Sequence, residues 1–580
     1  MLSIGILATA LFSGVARSNP FVVDAAKKVS YQGITSSPGI ETFLGIPFGQ
    51  DTSGANRFAP PRAYVPSPGQ VLDATAAGPS CPQSSSLGML YSTVVTDISE
   101  NCLSLLVARP AGVSRGAKLP VMAYIYGGGL NTGTAYDRTS RPDGLIQQSV
   151  ENGLPVLYVG MNYRLNAFGF LTSEALRGDR SLNVGLKDQR LALEWVQENI
   201  AAFGGDPDHV TLFGQSSGGL SVGMQLLAYG NTRRAPFRAV ILQSTALEPT
   251  MASNLSFNAT SAIAVAASCE ATDALSTAPE LIECLRALPM EKLLNLTLDF
   301  IASTSANNDG DVFLPTVDQD FLPDLASSLI ADGKFPRMPY IAGWQANDAT
   351  LFTSTAIQTD HDTRAFLHLY YPDVNRTTLR RLLDLYPVGE FQANLTANLS
   401  AEFYRSAQVF RDILLVCPGV SLGAAMARKY CGAAQPPVYL YQNNQTILDN
   451  YLDASGSPGL GVIHTSELAY LSGNLSIFNV TSDISSAGLV GYDFEPRPSD
   501  VELARQWPRS WTGFAYAGYP SMWERDTLPG WTSAFPGGEG GGRVYVAGGS
   551  RPGMRDAGFT RLDERCGFLN RPEVIEQLRY

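Results

Sequence analysis

Residues 210–218 read Val210-Thr-Leu-Phe-Gly-Gln-Ser-Ser-Gly218, a short apolar run that leads into a turn of small residues. We expect a strand over 210–213, a tight turn, and a helix over about 217–227. The same alternation continues around it, with strands predicted over 119–126, 154–160 and 239–243 and a helix over 186–200. Strands that alternate with helices at this spacing form a mostly parallel sheet covered on both faces, so the predicted fold class is α/β.

The turn matches G-x-S-x-G, a pattern in which a strained strand-to-helix turn exposes a nucleophilic serine. The pattern also occurs at Ser114, Ser221 and Ser421, so the surrounding sequence has to decide. Ser114 lies in a predicted loop, Ser221 lies inside the predicted helix, and Ser421 has no strand before it. Only Ser216 has an apolar strand before it and small residues after it, and we therefore interpret Ser216 as the nucleophile.

A serine nucleophile needs a general base, and the sequence offers four histidines. His209 precedes the serine, whereas the chain order in α/β-hydrolases is serine, acid, histidine. His361 and His368 are seven residues apart on one predicted surface helix. His464 lies in a glycine-bounded loop late in the chain, and we predict that it is the base.

Two further parts of an acyl-transfer site have candidates. Asp348 follows the apolar segment 338–342 and lies between the serine and the histidine in sequence, although other carboxylates share that property. The run Tyr126-Gly-Gly-Gly129 ends a predicted strand and is typical of an oxyanion loop, with a plain tight turn as the alternative. We predict a three-donor oxyanion hole from the N–H groups of Gly128, Gly129 and Ser217.

Composition bounds the class of protein. The 580 residues are 45% hydrophobic and 16% charged, which excludes disorder of the whole chain. The net charge of −12 speaks against a nucleic-acid partner. No apolar stretch reaches about 18 residues, so no integral membrane segment is indicated. Without repeats or long linkers, we expect one domain over 19–580.

The N-terminus predicts secretion. Residues 2–15 are apolar and end in small residues, which favours a signal peptide over 1–18 cut after Ala16 or Ser18. A buried strand or an uncleaved anchor is the alternative. Nine Asn-x-Ser/Thr sequons suit a secreted glycoprotein. They are at Asn254, Asn258, Asn295, Asn375, Asn394, Asn398, Asn444, Asn474 and Asn479.

The seven cysteines show no C-x-x-C spacing, so no zinc or other metal site is predicted. Two close pairs, Cys81 with Cys102 and Cys269 with Cys284, indicate local disulfides in an oxidising compartment. Cys417, Cys431 and Cys566 remain, and their pairing stays open at this point.

An ordered series of segments resembles the type-B carboxylesterases of the cholinesterase and lid-lipase superfamily, in its fungal secreted form. The resemblance covers nearly the whole mature chain, and its longest match is 195–219. The other matching segments are Phe43-Leu-Gly-Ile-Pro-Phe48, Arg57-Phe-Ala-Pro-Pro61, Glu100-Asn-Cys-Leu103, Asn162-Tyr-Arg-Leu165, Phe168-Gly-Phe-Leu171 and Asn183-Val-Gly-Leu-Lys-Asp-Gln189. The resemblance implies an α/β-hydrolase fold with a large central sheet.

The resemblance also implies roles for single residues. Asp348 aligns with the family's catalytic Glu, one methylene longer. Ser244 aligns with a serine that hydrogen-bonds near the acid. Gln215, next to the nucleophile, is expected to support the triad without reacting itself. By the same resemblance Cys417 pairs with Cys566, with Cys417–Cys431 as the alternative.

The function implied is two-step ester hydrolysis through an acyl-enzyme, with no metal or organic cofactor. The segment 82–101 has no Trp, and its aromatic residue is Tyr91, so choline esters are not the expected substrates. Its Ser- and Thr-rich character favours an esterase for soluble or moderately apolar esters. The alternatives are a lipase or sterol/carotenoid esterase and, from another class, a non-catalytic binding protein.

Overall fold

The computed structural model describes residues 19–85, 93–245, 247–304, 311–432, 437–479, 494–538 and 542–580. The predicted signal peptide and Tyr91 lie outside the described residues. Within them, fourteen strands form one sheet of three strands and one of eleven. The strands are β1 (Phe21–Asp24), β2 (Val29–Gln32), β3 (Ile34–Ser37), β4 (Ile40–Pro47), β5 (Val71–Asp73), β6 (Ser104–Pro110), β7 (Leu119–Ile125), β8 (Leu157–Met161), β9 (Gly205–Gln215), β10 (Ala239–Gln243), β11 (Tyr340–Gln345), β12 (Val438–Asn443), β13 (Arg543–Ala547) and β14 (Gly553–Asp556).

The helices alternate with the strands from β7 to β13. The α-helices are α1 (Asp143–Glu151), α2 (Asn166–Phe170), α3 (Glu174–Gly178), α4 (Val184–Asn199), α5 (Ser217–Leu227), α6 (Leu255–Ala266), α7 (Glu280–Ala287), α8 (Met290–Thr304), α9 (Ala326–Ala331), α10 (Asp360–Tyr370), α11 (Arg376–Asp384), α12 (Ala401–Arg411), α13 (Cys417–Lys429), α14 (Asp449–Ala454), α15 (Ser466–Leu471), α16 (Pro498–Ala517), α17 (Leu562–Leu569) and α18 (Pro572–Leu578). A π-helical turn, Asp412–Val416, joins α12 to α13.

The large sheet is mostly parallel, as the alternation of strands and helices predicts. Its strand order is β14-β13-β12-β11-β10-β9-β7-β8-β6-β4-β3. The seven strands from β13 to β8 run parallel, and β14, β6, β4 and β3 pair antiparallel at the two edges. Every residue of β8, β10, β11 and β12 is buried, so layers cover both faces of the sheet. The prediction of an α/β-hydrolase fold is confirmed.

The predicted elements agree with the structure apart from their ends. The helix over 217–227 and the strand over 239–243 have the predicted bounds. The strand predicted over 154–160 begins only at Leu157, because Pro155 has no N–H to donate to a ladder. Conversely, the strand predicted over 210–213 is longer and spans Gly205–Gln215, so His209 lies within it.

One helical segment of the described part, 401–429, is long and apolar enough on average to cross a membrane. Polar residues interrupt it, which is why no continuous apolar stretch is visible in the sequence. Within its most apolar window 78% is buried inside the protein. The segment consists of α12, the π-helical turn and α13, and α13 packs against β11 and β12. This is the environment of a core helix.

All seven cysteines are described, and six of them form disulfides: Cys81–Cys102, Cys269–Cys284 and Cys417–Cys566. Cys431 is free and exposed. The structure thus has the long-range pairing that the family resemblance implies, and not the alternative Cys417–Cys431. None of the nine sequon asparagines is buried: Asn394, Asn444 and Asn479 are partly exposed, and the other six are exposed. Their glycosylation stays a prediction.

Candidate active site

Ser216 occupies the sharp turn between β9 and α5. Its φ of 60° and ψ of −133° are a strained conformation for a residue with a side chain, and such strain is typical of functional sites. Gly214 and Gly218 allow the turn, because a Cβ on Gly218 would lie 2.1 Å from the carbonyl oxygen of Ile125 on the neighbouring strand. The Ser216 N–H donates to the Gln243 carbonyl at 2.8 Å, which fixes the turn to β10. The side chain is partly exposed and lines a cavity.

The predicted oxyanion donors line the same cavity. Strands β7 and β9 are parallel neighbours, so the glycine run after β7 and the turn after β9 meet at one sheet edge. In the part of the chain that the structure describes, the N–H groups of Gly128, Gly129 and Ser217 donate to no protein acceptor. Ser217 begins α5, so its N–H is one of the unpaired donors of a helix N-terminus. The three groups are therefore free to bind a developing oxyanion.

Asp348 and His464 are in direct contact. His464 Nδ1 lies 2.6 Å from Asp348 Oδ1, and both side chains are almost completely buried. The other carboxylate oxygen, Oδ2, accepts from the Ser244 hydroxyl and from the Gln345 N–H, each at 2.8 Å. These bonds hold the acid on the strand ends of β10 and β11 and leave one oxygen for the imidazole. Asp348 thus reaches His464 although it is one methylene shorter than Glu.

His464 Nε2 faces Gln215 instead of the serine. Gln215 Nε2 lies 3.2 Å from His464 Nε2, and within the described residues the Ser216 hydroxyl makes no hydrogen bond. With the Nδ1 proton directed at Asp348, Nε2 carries the lone pair, which accepts from the Gln215 amide. Proton transfer from Ser216 therefore requires Nε2 to exchange this contact for the serine hydroxyl. Catalytic hydrogen bonds often tighten only with substrate in place.

The cavity above the triad has a volume of about 370 Å³. Its walls come from widely separated parts of the chain. The stretch 83–140 contributes mostly polar groups, such as Gln83, Thr93 and Thr139, whereas the stretch 352–415 contributes mostly apolar ones, such as Phe352 and Leu414. Such a mixed lining suits a substrate with a polar and an apolar part.

Sequence reasoning missed Glu467, which lies three residues after His464 at the start of α15. Its carboxyl group is completely buried and accepts from the side-chain amides of Gln243 and Gln345. Burial, reinforced by the charge of Asp348, raises the pKa of Glu467 to about 8. Its position beside His464 in sequence was visible, but nothing in the sequence shows that it is buried.

The rejected candidates lie elsewhere. His361 and His368 are exposed on α10, and His209 pairs with Asp206 on β9. Ser221 is buried in α5, where its hydroxyl accepts from Gln189. The remaining pattern matches, at 114 and 421, lie in an exposed loop and in α13.

A family profile described as "Carboxylesterase family" matches residues 29–540. A secreted lipase of Arthroderma benhamiae is 41% identical over 579 residues, which cover 98% of both chains. An inactive carboxylesterase-like protein of Byssochlamys spectabilis is 37% identical and covers 96% of this chain and 95% of its own. Among solved structures, EstA of Aspergillus niger has a TM-score of 0.74 at 24% identity, covers 97% of this chain and 99% of its own, and shows the likeness of fold.

Fold and site geometry together define an α/β-hydrolase. With the profile match and the relative of 41% identity, the chain belongs to the carboxylesterase family, and its class of activity is carboxylic ester hydrolysis.

Proposed function

We propose that the protein is a secreted serine carboxylesterase that works through an acyl-enzyme on Ser216. His464 takes the serine proton during attack on the ester carbonyl and returns it to the leaving alcohol. Asp348 orients the imidazole and stabilises its protonated form, and the N–H groups of Gly128, Gly129 and Ser217 bind the oxyanion. Water activated by the same imidazole then releases the acid.

The observation that carries the proposal is the Asp348–His464 contact of 2.6 Å beside a serine in the strained elbow conformation. An orienting acid, an imidazole whose Nε2 carries a lone pair, and unpaired backbone donors around one cavity are the parts that acyl transfer needs. One relative is named inactive, so a non-catalytic role is the second candidate. The complete set of Ser216, Asp348 and His464 in this chain favours catalysis.

We further propose that the preferred substrates are soluble or moderately apolar esters. The polar groups contributed by the stretch 83–140 suit a polar part of the substrate better than a second long hydrocarbon chain. The alternative is a lipase or sterol/carotenoid esterase, and the relative named a secreted lipase supports that alternative. Within the segment 82–101, residues 86–92 lie outside the described residues.

The deciding experiment measures hydrolysis of p-nitrophenyl esters from acetate to palmitate by the wild type, S216A and S221A. Ser221 is the matched control, because it fits the same sequence pattern but is buried in α5. We expect S216A to lose activity by several orders of magnitude and S221A to stay within a few-fold. A maximum at short or medium chains supports the esterase, whereas strong activation by emulsified long-chain triglyceride contradicts it. A wild type inert toward every ester favours the binding protein.

Secretion is proposed from the apolar N-terminus, the three disulfides and a relative named as secreted. N-terminal sequencing of protein from the culture medium tests it. A mature N-terminus at residue 17 or 19 is expected, and an intact Met1 on extracellular protein would contradict the predicted cleavage.

A further inference from the structure

Glu467 is a buried carboxyl group beside the triad that has no role in the mechanism proposed above. Its relative exposure is 0%, and its two oxygens face two glutamines. Gln243 Nε2 lies 3.2 Å from Oε1, and Gln345 Nε2 lies 2.5 Å from Oε2. These glutamines are the last residues of the adjacent parallel strands β10 and β11. Glu467 therefore bridges two strand ends at the edge of the sheet where the triad lies.

The backbones of the same glutamines hold the triad. The carbonyl of Gln243 accepts from the Ser216 N–H at 2.8 Å, and the N–H of Gln345 donates to Asp348 Oδ2 at 2.8 Å. His464 is on the same short segment as Glu467. One carboxyl group thus connects the residues that position nucleophile, acid and base.

Among the described residues, no salt bridge compensates a charge on Glu467. In the described part of the chain, no Lys or Arg nitrogen lies within 4 Å of its carboxyl group. The titratable groups that face it are Asp348 after β11, His464 on its own segment, Tyr441 on β12 and Tyr124 on β7. Two buried carboxylates without a cation repel each other and lose hydration, so the pair is most stable with one proton.

The hydrogen bonds to the two glutamines are compatible with a protonated Glu467. Gln243 Oε1 is buried and, among the described residues, has no hydrogen-bond partner. Amide oxygen and nitrogen are assigned from their surroundings, and exchanging them places Oε1 at 3.2 Å from Glu467 Oε1. Two oxygens at that distance form a hydrogen bond only if one of them carries a proton. A protonated Glu467 can therefore donate to Gln243 Oε1, whereas an ionised Glu467 can only accept from Gln243 Nε2, so either state keeps one hydrogen bond to Gln243.

We propose that Glu467 is a positioning residue that works in its protonated, uncharged form, in which it holds Gln243 and Gln345 so that Ser216, Asp348 and His464 keep their spacing. The inference rests on the proposed function. Ionisation places a second negative charge beside Asp348, so the ionised enzyme has low activity. Activity then declines above about pH 8, where burial and the charge of Asp348 place the pKa of Glu467.

The test compares kcat/KM against pH for the wild type, E467Q, E467A and E402Q. Glutamine keeps the size and hydrogen bonding of the protonated form but cannot ionise. Glu402 is the matched control, a buried carboxylate that is paired with Arg405 and lies outside the cavity. We expect the wild type and E402Q to lose activity about tenfold per pH unit above pH 8, whereas E467Q stays level. At pH 7, E467Q is expected within a few-fold of the wild type and E467A far below it.

Two results would overturn the proposal. One is an alkaline decline of E467Q identical to that of the wild type. The other is an E467Q activity at pH 7 as low as that of E467A, because this would show that activity needs the negative charge of Glu467 and not its uncharged form. If the variants fold poorly, infrared spectroscopy of the wild type still tests the proposal. The carbonyl band of a buried carboxylic acid is expected at pH 6 and is lost above pH 8. Absence of that band at pH 6 also overturns the proposal.

A stability measurement separates this inference from the proposed function. A carboxyl group whose pKa is raised from 4.5 in the unfolded chain to about 8 in the folded one stabilises the fold fully at low pH. That contribution is lost as the pH rises from 4.5 to about 8. The Tm of E467Q minus that of the wild type is therefore expected to grow over this range, whether or not the protein hydrolyses esters. A constant difference would contradict the inference, while loss of hydrolysis alone would contradict only the proposed function.

Discussion

Replacing Asp348 by Asn tests the role of the acid with almost no change of volume. Asp348 Oδ2 accepts two hydrogen bonds, from Ser244 and Gln345, whereas Oδ1 accepts one, from His464. Asparagine has a single oxygen, and placing it at the Oδ2 position keeps two hydrogen bonds of about 1 kcal/mol each. The amide nitrogen then faces His464 Nδ1, which must become the acceptor. The proton moves to Nε2, and the imidazole can no longer take the proton of Ser216.

The expected loss follows from this change of tautomer. In a serine triad the corresponding substitution lowers kcat about 10⁴-fold, or about 5.5 kcal/mol of transition-state stabilisation. Because Asp348 is buried and does not line the cavity, KM is expected to change little. The assay is kcat and KM for a short-chain p-nitrophenyl ester together with Tm. D318N is the control, since Asp318 is also buried and hydrogen-bonded but lies outside the cavity.

Activity of D348N within tenfold of the wild type would refute the assignment of Asp348 as the orienting acid. A fall in D318N as large as that in D348N would show that the effect reflects loss of a buried carboxylate in general. A large loss of kcat in D348N alone, at unchanged Tm, is the result that the hydrogen-bond geometry predicts.

Two further changes test how the scaffold supports the site. In G218A the new Cβ would lie 2.1 Å from the carbonyl oxygen of Ile125, so α5 must shift away from β7. We expect this shift to destabilise the fold by about 1–3 kcal/mol and to cause a large loss of kcat/KM. The control is G389A, which changes neither quantity because no atom lies within 4 Å of its new Cβ. In the double variant C417S/C566S the loss of a crosslink that spans 149 residues is expected to cost about 5 kcal/mol, measured by denaturant unfolding. An unchanged unfolding midpoint would contradict the contribution of that disulfide to stability.

The candidates for nucleophile and base could be selected from the residues themselves. Ser216 stands out because a strand, a small-residue turn and a helix are consecutive in sequence, and His464 remains after three histidines are eliminated. Asp348 needed the family resemblance, since many carboxylates follow the serine in the chain. The central alternation of strands and helices likewise fixed the fold class, because parallel strands need helical crossovers.

The rest depends on contacts between distant segments, which no local pattern reveals. The contact of Gln215 with His464 spans 249 residues, and that of Glu467 with Gln243 spans 224. Burial, and with it the raised pKa of Glu467, results from packing of several elements around the strand ends. The cavity walls could not be predicted either, because Phe352 and Leu414 meet residues of the stretch 83–140 only in the folded chain.

The most direct test of the central claim is covalent labelling of the purified protein with a fluorophosphonate, followed by peptide mass spectrometry. An activated serine beside an oxyanion hole attacks the phosphorus, expels fluoride and stays bound to the phosphorus. We expect one adduct on the peptide that contains Ser216, none in S216A, and a much slower reaction in D348N. Absence of an adduct from the wild type, or an adduct on another serine such as Ser221, would contradict the assignment of Ser216 as the catalytic nucleophile.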